Sequence, residues 1–226
     1  MTTEGVTPGG RGRFGDFDVL GEAGHWDGVT RDVVFARLDP RRAASFFDDD
    51  EAVTARALLD RLLAQDDEPK IPLLELIEPR LAAGETDGYR YVDMPDDGDA
   101  WTRSLAGLGA DASRAHGRAF AELDELAQRE LIEVVRTTKG DWHGMPGSRV
   151  FQLWTRYAIT AFYSHPWAWN EIGFAGPAYP RGFKTLAIDR LEPFERRERD
   201  PRDPIPWLHK VDAAQAEHGV GEARGH

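Results

Sequence analysis

The side chains best able to do chemistry in this chain are its histidines, His25, His116, His143, His165, His209, His218 and His226. No two are four residues apart, the spacing by which one helix presents a pair to zinc. Cysteine is absent, which excludes disulfides, thiolate zinc sites, iron-sulfur clusters and covalently attached c-type haem. There is no glycine-rich strand-to-helix turn for a dinucleotide, no P-loop and no nucleophile elbow. No catalytic, cofactor-binding or metal-ligating residue is therefore assigned. A mononuclear site built from distant His and Asp side chains stays open.

His165 stands apart because Pro166 fixes an extended backbone there, among rings able to shield an imidazole from water. A general base and a buried structural histidine are the two readings, and the absence of an acid nearby favours the second. His116 falls on the apolar side of its helix and is expected in the core. His143, in "KGDWHGMPG", is expected on an exposed loop. The acidic "DDGD" of residues 96–99 lacks the oxygen ladder of a calcium loop and reads as a solvated turn. Glu122, Glu125 and Glu133 alternate with arginines, as on an ordinary wet helix face.

The segment "YSHPWAWNEIGFAGPAYPRGF", Tyr163 to Phe183, carries Trp167, Trp169, Phe174, Tyr179 and Phe183 among prolines and glycines. These rings either cover the end of the preceding helix or form a protein-binding surface, since Trp and Tyr give large contact area at low entropy cost. Pro166, Pro177 and Pro180 stiffen the segment in both cases. Trp207, in "PIPWLHKV", reads either as part of a docking peptide or as a strap on its own domain.

The elements that must hold these residues are helical. "DDDEAVTARALLDRLLAQDDE" starts at Asp48 or Asp49 and puts Ala55, Leu58, Leu59 and Leu62 on one face. "IPLLELIEPRLAAGE" puts Leu73, Leu74, Ile77 and Leu81 together, with a kink or break expected at Pro79. A further helix is placed around Ala100 to Leu108. In "SRAHGRAFAELDELAQRELIEVVRTT" the spacing predicts one amphipathic helix with Phe120, Leu123, Leu126, Ala127, Leu131 and Val134 inward. Asp124 falls inside that face and must be paired, hydrogen-bonded or at the rim, with Arg156 a candidate partner. "RVFQLWTRYAITAFY", with Ser148 expected as its cap, is apolar around most of its circumference, leaving only Gln152, Arg156 and Thr160 as a polar stripe. That pattern marks a central helix.

The fold expected is all-α: a compact bundle of about five helices with long irregular connections and extended N- and C-terminal arms. Residues 1–45 are read as an N-terminal arm, partly disordered, 46–194 as the helical domain and 195–226 as a C-terminal tail. A net charge of −12 disfavours nucleic acid and anionic membrane surfaces as partners. No apolar run reaches the length of a membrane span, so membrane insertion is not expected. The start lacks the apolar region of a signal peptide, and a cytoplasmic location is expected.

The ordered segments "DDDEAVTARALLDRLLAQDDEPKIP", "LLELIEPRLA", "FAELDELAQRELI" and "AFYSHPWAWNEIGFAGPAYPRGF" resemble the gluconate 2-dehydrogenase subunit 3 family over about residues 46 to 186. Asp66, Asp67 and Pro69 or Pro72 match that family's loop after the first helix. Phe120, Leu123, Gln128 and Leu131 match its central pattern, and Tyr163, Ser164 and Pro166 its helix ending. Ile172, Gly173, Phe174, Gly176 and Pro177 follow the family, whereas the double glycine of many members is missing.

The resemblance implies a non-catalytic small subunit that binds and stabilises, in a chaperone-like way, a large FAD-dependent dehydrogenase of the glucose-methanol-choline type. The substrate class implied is a sugar, glycoside or polyol. The FAD would sit in the partner, a separate electron acceptor would complete the system, and export would follow only from a signal on the partner. Trp167, Trp169, Phe174, Tyr179, Phe183 and Trp207 are the expected interface residues, and His165, Asp124 and Arg156 structural or weaker functional candidates. An independent enzyme would instead bring His165 or His143 onto a carboxylate in a deep polar pocket. A helical binder of small apolar ligands would show a closed aromatic cavity.

Overall fold

The computed structural model describes residues 14–197 except 16, 41–44, 67, 87 and 186–189. Among them are seven α-helices: α1 (Gly28–Ala36), α2 (Asp49–Leu62), α3 (Leu73–Ala82), α4 (Asp97–His116), α5 (Glu125–Thr137), α6 (Gly147–Ser164) and α7 (Pro166–Ile172). Two 3-10 helices, Val19–His25 and Phe120–Glu122, precede α1 and α5. The hairpin of β1 (Asp141–Trp142) and β2 (Met145–Pro146) is antiparallel. Among the described residues the chain is all-α apart from that hairpin.

The central helix is α6, which packs on α2, α3, α4, α5 and α7. Val150, Leu153, Trp154, Tyr157, Ala158 and Ala161 of α6 are buried along one stripe, whereas its apolar Ile159 and Tyr163 are exposed, so the helix is less enclosed than its apolar circumference suggested. The helix begins at Gly147, one residue before the expected Ser148 cap. α2 starts on a capping box in which Asp48 accepts from the Glu51 N–H and Glu51 reaches back to the Asp48 N–H. Its buried side chains are Ala52, Ala55, Leu58 and Leu59. α3 runs unbroken through Pro79, which lies in its last turns.

Two segments differ from the sequence expectation. α4 is a twenty-residue helix that starts in the acidic "DDGD" and ends at a left-handed Gly117. Asp97 and Asp99 lie in its first turn, where the helix dipole favours carboxylates, which is why a solvated turn was the wrong expectation. The chain then breaks before α5. Asp124 is the N-cap, accepting from the Ala127 N–H at 2.9 Å. The inward face of α5 is Gln128, Leu131, Ile132 and Val135, while Leu126 and Val134 are exposed. The phase of the helix starts at Asp124, so projecting one helix through residues 120–124 rotated the face.

Part of the stretch expected as an N-terminal arm packs on the domain. Phe14, Phe17, Val19, Trp26 and Val34 form a second apolar cluster with Trp169 and Ala175. Hydrogen bonds tie it to α7: the Val19 N–H donates to Asn170 Oδ1 at 2.7 Å, and Asn170 Nδ2 donates to Asp18 at 3.2 Å. Arg181 pairs with Glu22 at 2.7 Å. The segment Val33–Leu38, undecided between strand and helical turn from its pattern, falls in and just after α1.

Candidate functional site

The ring-rich segment begins where α6 stops. Ser164 ends α6, and His165 is extended and caps α7, its Nδ1 accepting from the Trp167 N–H at 3.2 Å. This fixes the neutral tautomer, with the hydrogen on Nε2, and Nε2 meets no hydrogen-bond partner among the described residues. The ring is fully buried and packs edge-on to Trp167 at 4.9 Å. Burial, with the nearby positive charge of Arg37, pushes its pKa down to about 4. Such an imidazole is a helix cap held neutral, and it accompanies no carboxylate that would make it a general base.

The expected interface rings separate into two groups. Trp169 is buried in the second cluster, donates from Nε1 to the Tyr163 carbonyl at 2.7 Å and meets Phe174 edge-on. Trp167 is half-buried against the main core. Phe174, Tyr179 and Phe183 are 44%, 66% and 53% exposed, and Tyr163 and Ile172 beside them are each 48% exposed. Among the described residues of the segment, this outer group offers the most surface to another molecule. Trp207 lies outside the described residues.

Arg156 does not pair with Asp124. Its Nη2 donates to Asp97 Oδ2 at 2.7 Å, and the Tyr157 hydroxyl donates to the same oxygen at 2.9 Å. Burial first, then the hydrogen bond to Asp97 and its charge, push the Tyr157 phenol up, so it stays a donor. The cluster joins the first turn of α4 to the middle of α6. Its signal in the sequence was half-visible: the polar stripe of Gln152 and Arg156 on an otherwise apolar helix requires a partner.

A second carboxylate cluster had no sequence signal of its own. His143 and Gly144 form the two-residue turn of the hairpin, with φ of 50° and 80°. That left-handed turn swings the imidazole onto α4, where Nε2 lies 2.8 Å from Asp111 Oδ1. Trp142 Nε1 donates to Asp111 Oδ2 at 2.9 Å, and Arg114 also pairs with Asp111. Burial alone would raise the Asp111 carboxyl, but the His143 and Trp142 hydrogen bonds and the Arg114 charge hold it below the usual range. Gly107 permits the approach, because a Cβ there would sit 2.9 Å from the His143 ring. His143 is thus an exposed turn residue, as expected, but its imidazole is engaged by Asp111, whereas His116, expected in the core, is exposed at the end of α4.

A histidine on a carboxylate is what the independent-enzyme reading asked for. Its setting is a surface hairpin, and the pair is joined by an indole and a guanidinium; this arrangement pins the hairpin to α4. Among the described residues no group of three or more His, Asp or Glu side chains is arranged to hold a metal ion. No helix among them is long and apolar enough to cross a membrane.

Residues 49–176, more than half of the chain, match the family model described as Gluconate 2-dehydrogenase subunit 3. No curated protein and no solved structure matches the chain. The matched span runs from the first residue of α2 to Gly176, so it takes in α7 and the start of the ring segment but not the N-terminal half of the second cluster.

Proposed function

The chain belongs to the gluconate 2-dehydrogenase subunit 3 family, and from that premise we propose that it is a non-catalytic small subunit. In this reading it binds and stabilises a large FAD-dependent dehydrogenase of the glucose-methanol-choline type that oxidises a sugar, glycoside or polyol. The flavin and the catalytic bases belong to the partner, which passes its electrons to a separate acceptor. In this reading the complex works in the cytoplasm.

The observation that carries the proposal is the outer ring group. Tyr163, Ile172, Phe174, Tyr179 and Phe183 each keep 44% or more of their surface open along one short segment. That segment is anchored on both sides by buried Trp169 and Ala175 and by the Arg181–Glu22 pair. Large apolar side chains held in place before binding cost little entropy when they dock.

The test is co-expression of the tagged chain with a glucose-methanol-choline flavoprotein from the same genome. A yellow complex that oxidises sugar, and a flavoprotein that is less soluble when expressed alone, are the expected results. Sugar oxidation by the isolated chain with an artificial electron acceptor and no flavoprotein would overturn the reading.

A further inference from the structure

On the face of α6 bearing Arg149, Gln152, Leu153 and Arg156, spaced i, i+3, i+4 and i+7, the loop 89–94 and the first turn of α4 enclose a cavity of about 220 Å³. We propose that this cavity is an anchor pocket for one large neutral side chain, aromatic or branched aliphatic, projecting from the partner subunit. The proposal rests on the small-subunit reading given above.

The walls select an apolar occupant. Tyr91, Met94 and Leu153 supply ring and aliphatic surface. The rim selects against charge. Arg149 is paired with Asp93, Arg90 with Asp96, and Arg156 with Asp97, so three guanidiniums are matched by three carboxylates. A free anion or cation entering this mouth gains no net attraction and loses its hydration. A neutral side chain loses only apolar hydration, which favours entry.

Size and surroundings select a protein over a cofactor. Cofactor and drug-sized ligands occupy roughly 300–1,000 Å³, and this cavity is smaller. Its shape is fixed before binding: the Arg149 guanidinium lies 3.9 Å over the Tyr91 ring, and Tyr89 meets that ring edge-on at 5.1 Å. On the same loop, Val92 beside the pocket is fully exposed, and Tyr89 in its lining is 60% exposed. Apolar side chains flanking a small rigid pocket are what a protein partner covers when its anchor inserts, excluding water around the central contact.

The test uses the full chain and one substitution at the exposed mouth. Gln152→Trp places an indole over the cavity from a solvent-facing position of α6 and should leave the melting temperature unchanged. N-acetyl-tryptophanamide titrated into the wild-type chain should shift the NMR signals of Met94 and Leu153 and leave those of the distant Leu58 and Leu59 in place. Gln152→Trp should abolish those shifts and weaken binding of the flavoprotein about tenfold or more. Tyr91→Ala, which removes a wall, should also weaken both. If Gln152→Trp is folded and holds the flavoprotein as tightly as wild type, the pocket assignment is overturned while the subunit reading stands. If the probe shifts the pocket signals but neither protein holds any flavoprotein, the subunit reading fails, and with it the partner as source of the anchor.

Discussion

The main bundle and the second cluster are both apolar, but they are specified differently. In the bundle, Trp101, Trp154, Leu58, Leu74 and Leu108 come from helices that bury one face each, and the burial follows from a repeating spacing. In the second cluster, Phe14, Phe17, Val19, Trp26 and Trp169 come from turns, a 3-10 helix and a seven-residue helix with no common period. Its geometry is set by single contacts instead: the Asn170 amide bridging Val19 and Asp18, and the Phe14 ring lying against Gly173. A periodic core tolerates local change because many side chains share each contact. A core of single contacts fails at one residue but fails locally.

The largest effect that separates the two is expected at Trp101. It is fully buried, edge-on to Tyr157 at 5.8 Å and to Phe47 at 6.0 Å. Trp101→Ala should cost about 3–5 kcal/mol and lower the melting temperature of the whole chain in one transition. Loss of hydrogen-exchange protection confined to a few residues of α4 would break the comparison.

Gly173→Ala tests the other side. Gly173 has φ of 69°, and a Cβ there would lie 2.6 Å from the Phe14 ring. Left-handed strain and overpacking together should cost roughly 2–4 kcal/mol, paid by release of residues 14–26 from α7. Limited proteolysis should cut within that stretch while α2, α4 and α6 stay protected. Unfolding of the bundle at the same denaturant concentration would show that the two cores are one cooperative unit.

His165 sits at the junction, and its sign follows from linkage. Burial and Arg37 put the folded pKa at about 4, below the 6.5 of an ordinary imidazole. Between those values the unfolded chain binds a proton that the folded chain refuses. Stability from this group is therefore complete above pH 6.5, falls as the pH drops towards 4, and falls no further below that. The loss should approach roughly 3 kcal/mol. His165→Asn keeps a side-chain oxygen for the Trp167 N–H and does not titrate. The difference between wild type and variant should thus change only across that window, read from urea melts at pH 7, 5.5 and 4. A constant difference would mean that His165 is hydrated in the folded chain.

The same contrast explains what the sequence made legible. The buried faces of α2 and α3 and the central position of α6 follow from apolar side chains at i, i+3 and i+4. α4 was underestimated because the acidic "DDGD" at its start reads as a solvated turn. In the structure Gly107 lets the hairpin approach, and Asp97 and Asp111 are the acceptors that tie α6 and the hairpin to the helix. Neither pairing has a local signal, since the partners lie 59 and 31 residues away. The ring segment was legible as unusual, yet its division into buried Trp169 and exposed Phe174 depends on Phe14, Phe17 and Trp26 folding back from far along the chain.

The smallest effect concerns Asp124, where the periodic core meets its own boundary. As N-cap it accepts from the Ala127 N–H and is exposed. Asp124→Ala should cost about 1 kcal/mol and Asp124→Asn only a fraction of that, since Asn caps comparably. Because Arg156 is held by Asp97 whereas Asp124 caps α5 through the Ala127 N–H, Asp124→Ala and Arg156→Ala should add without coupling in a double-mutant cycle. A coupling energy above about 0.5 kcal/mol would show the two residues linked through α5 and α6. The bundle would then resemble the second cluster, with a single polar contact deciding how one of its helices sits.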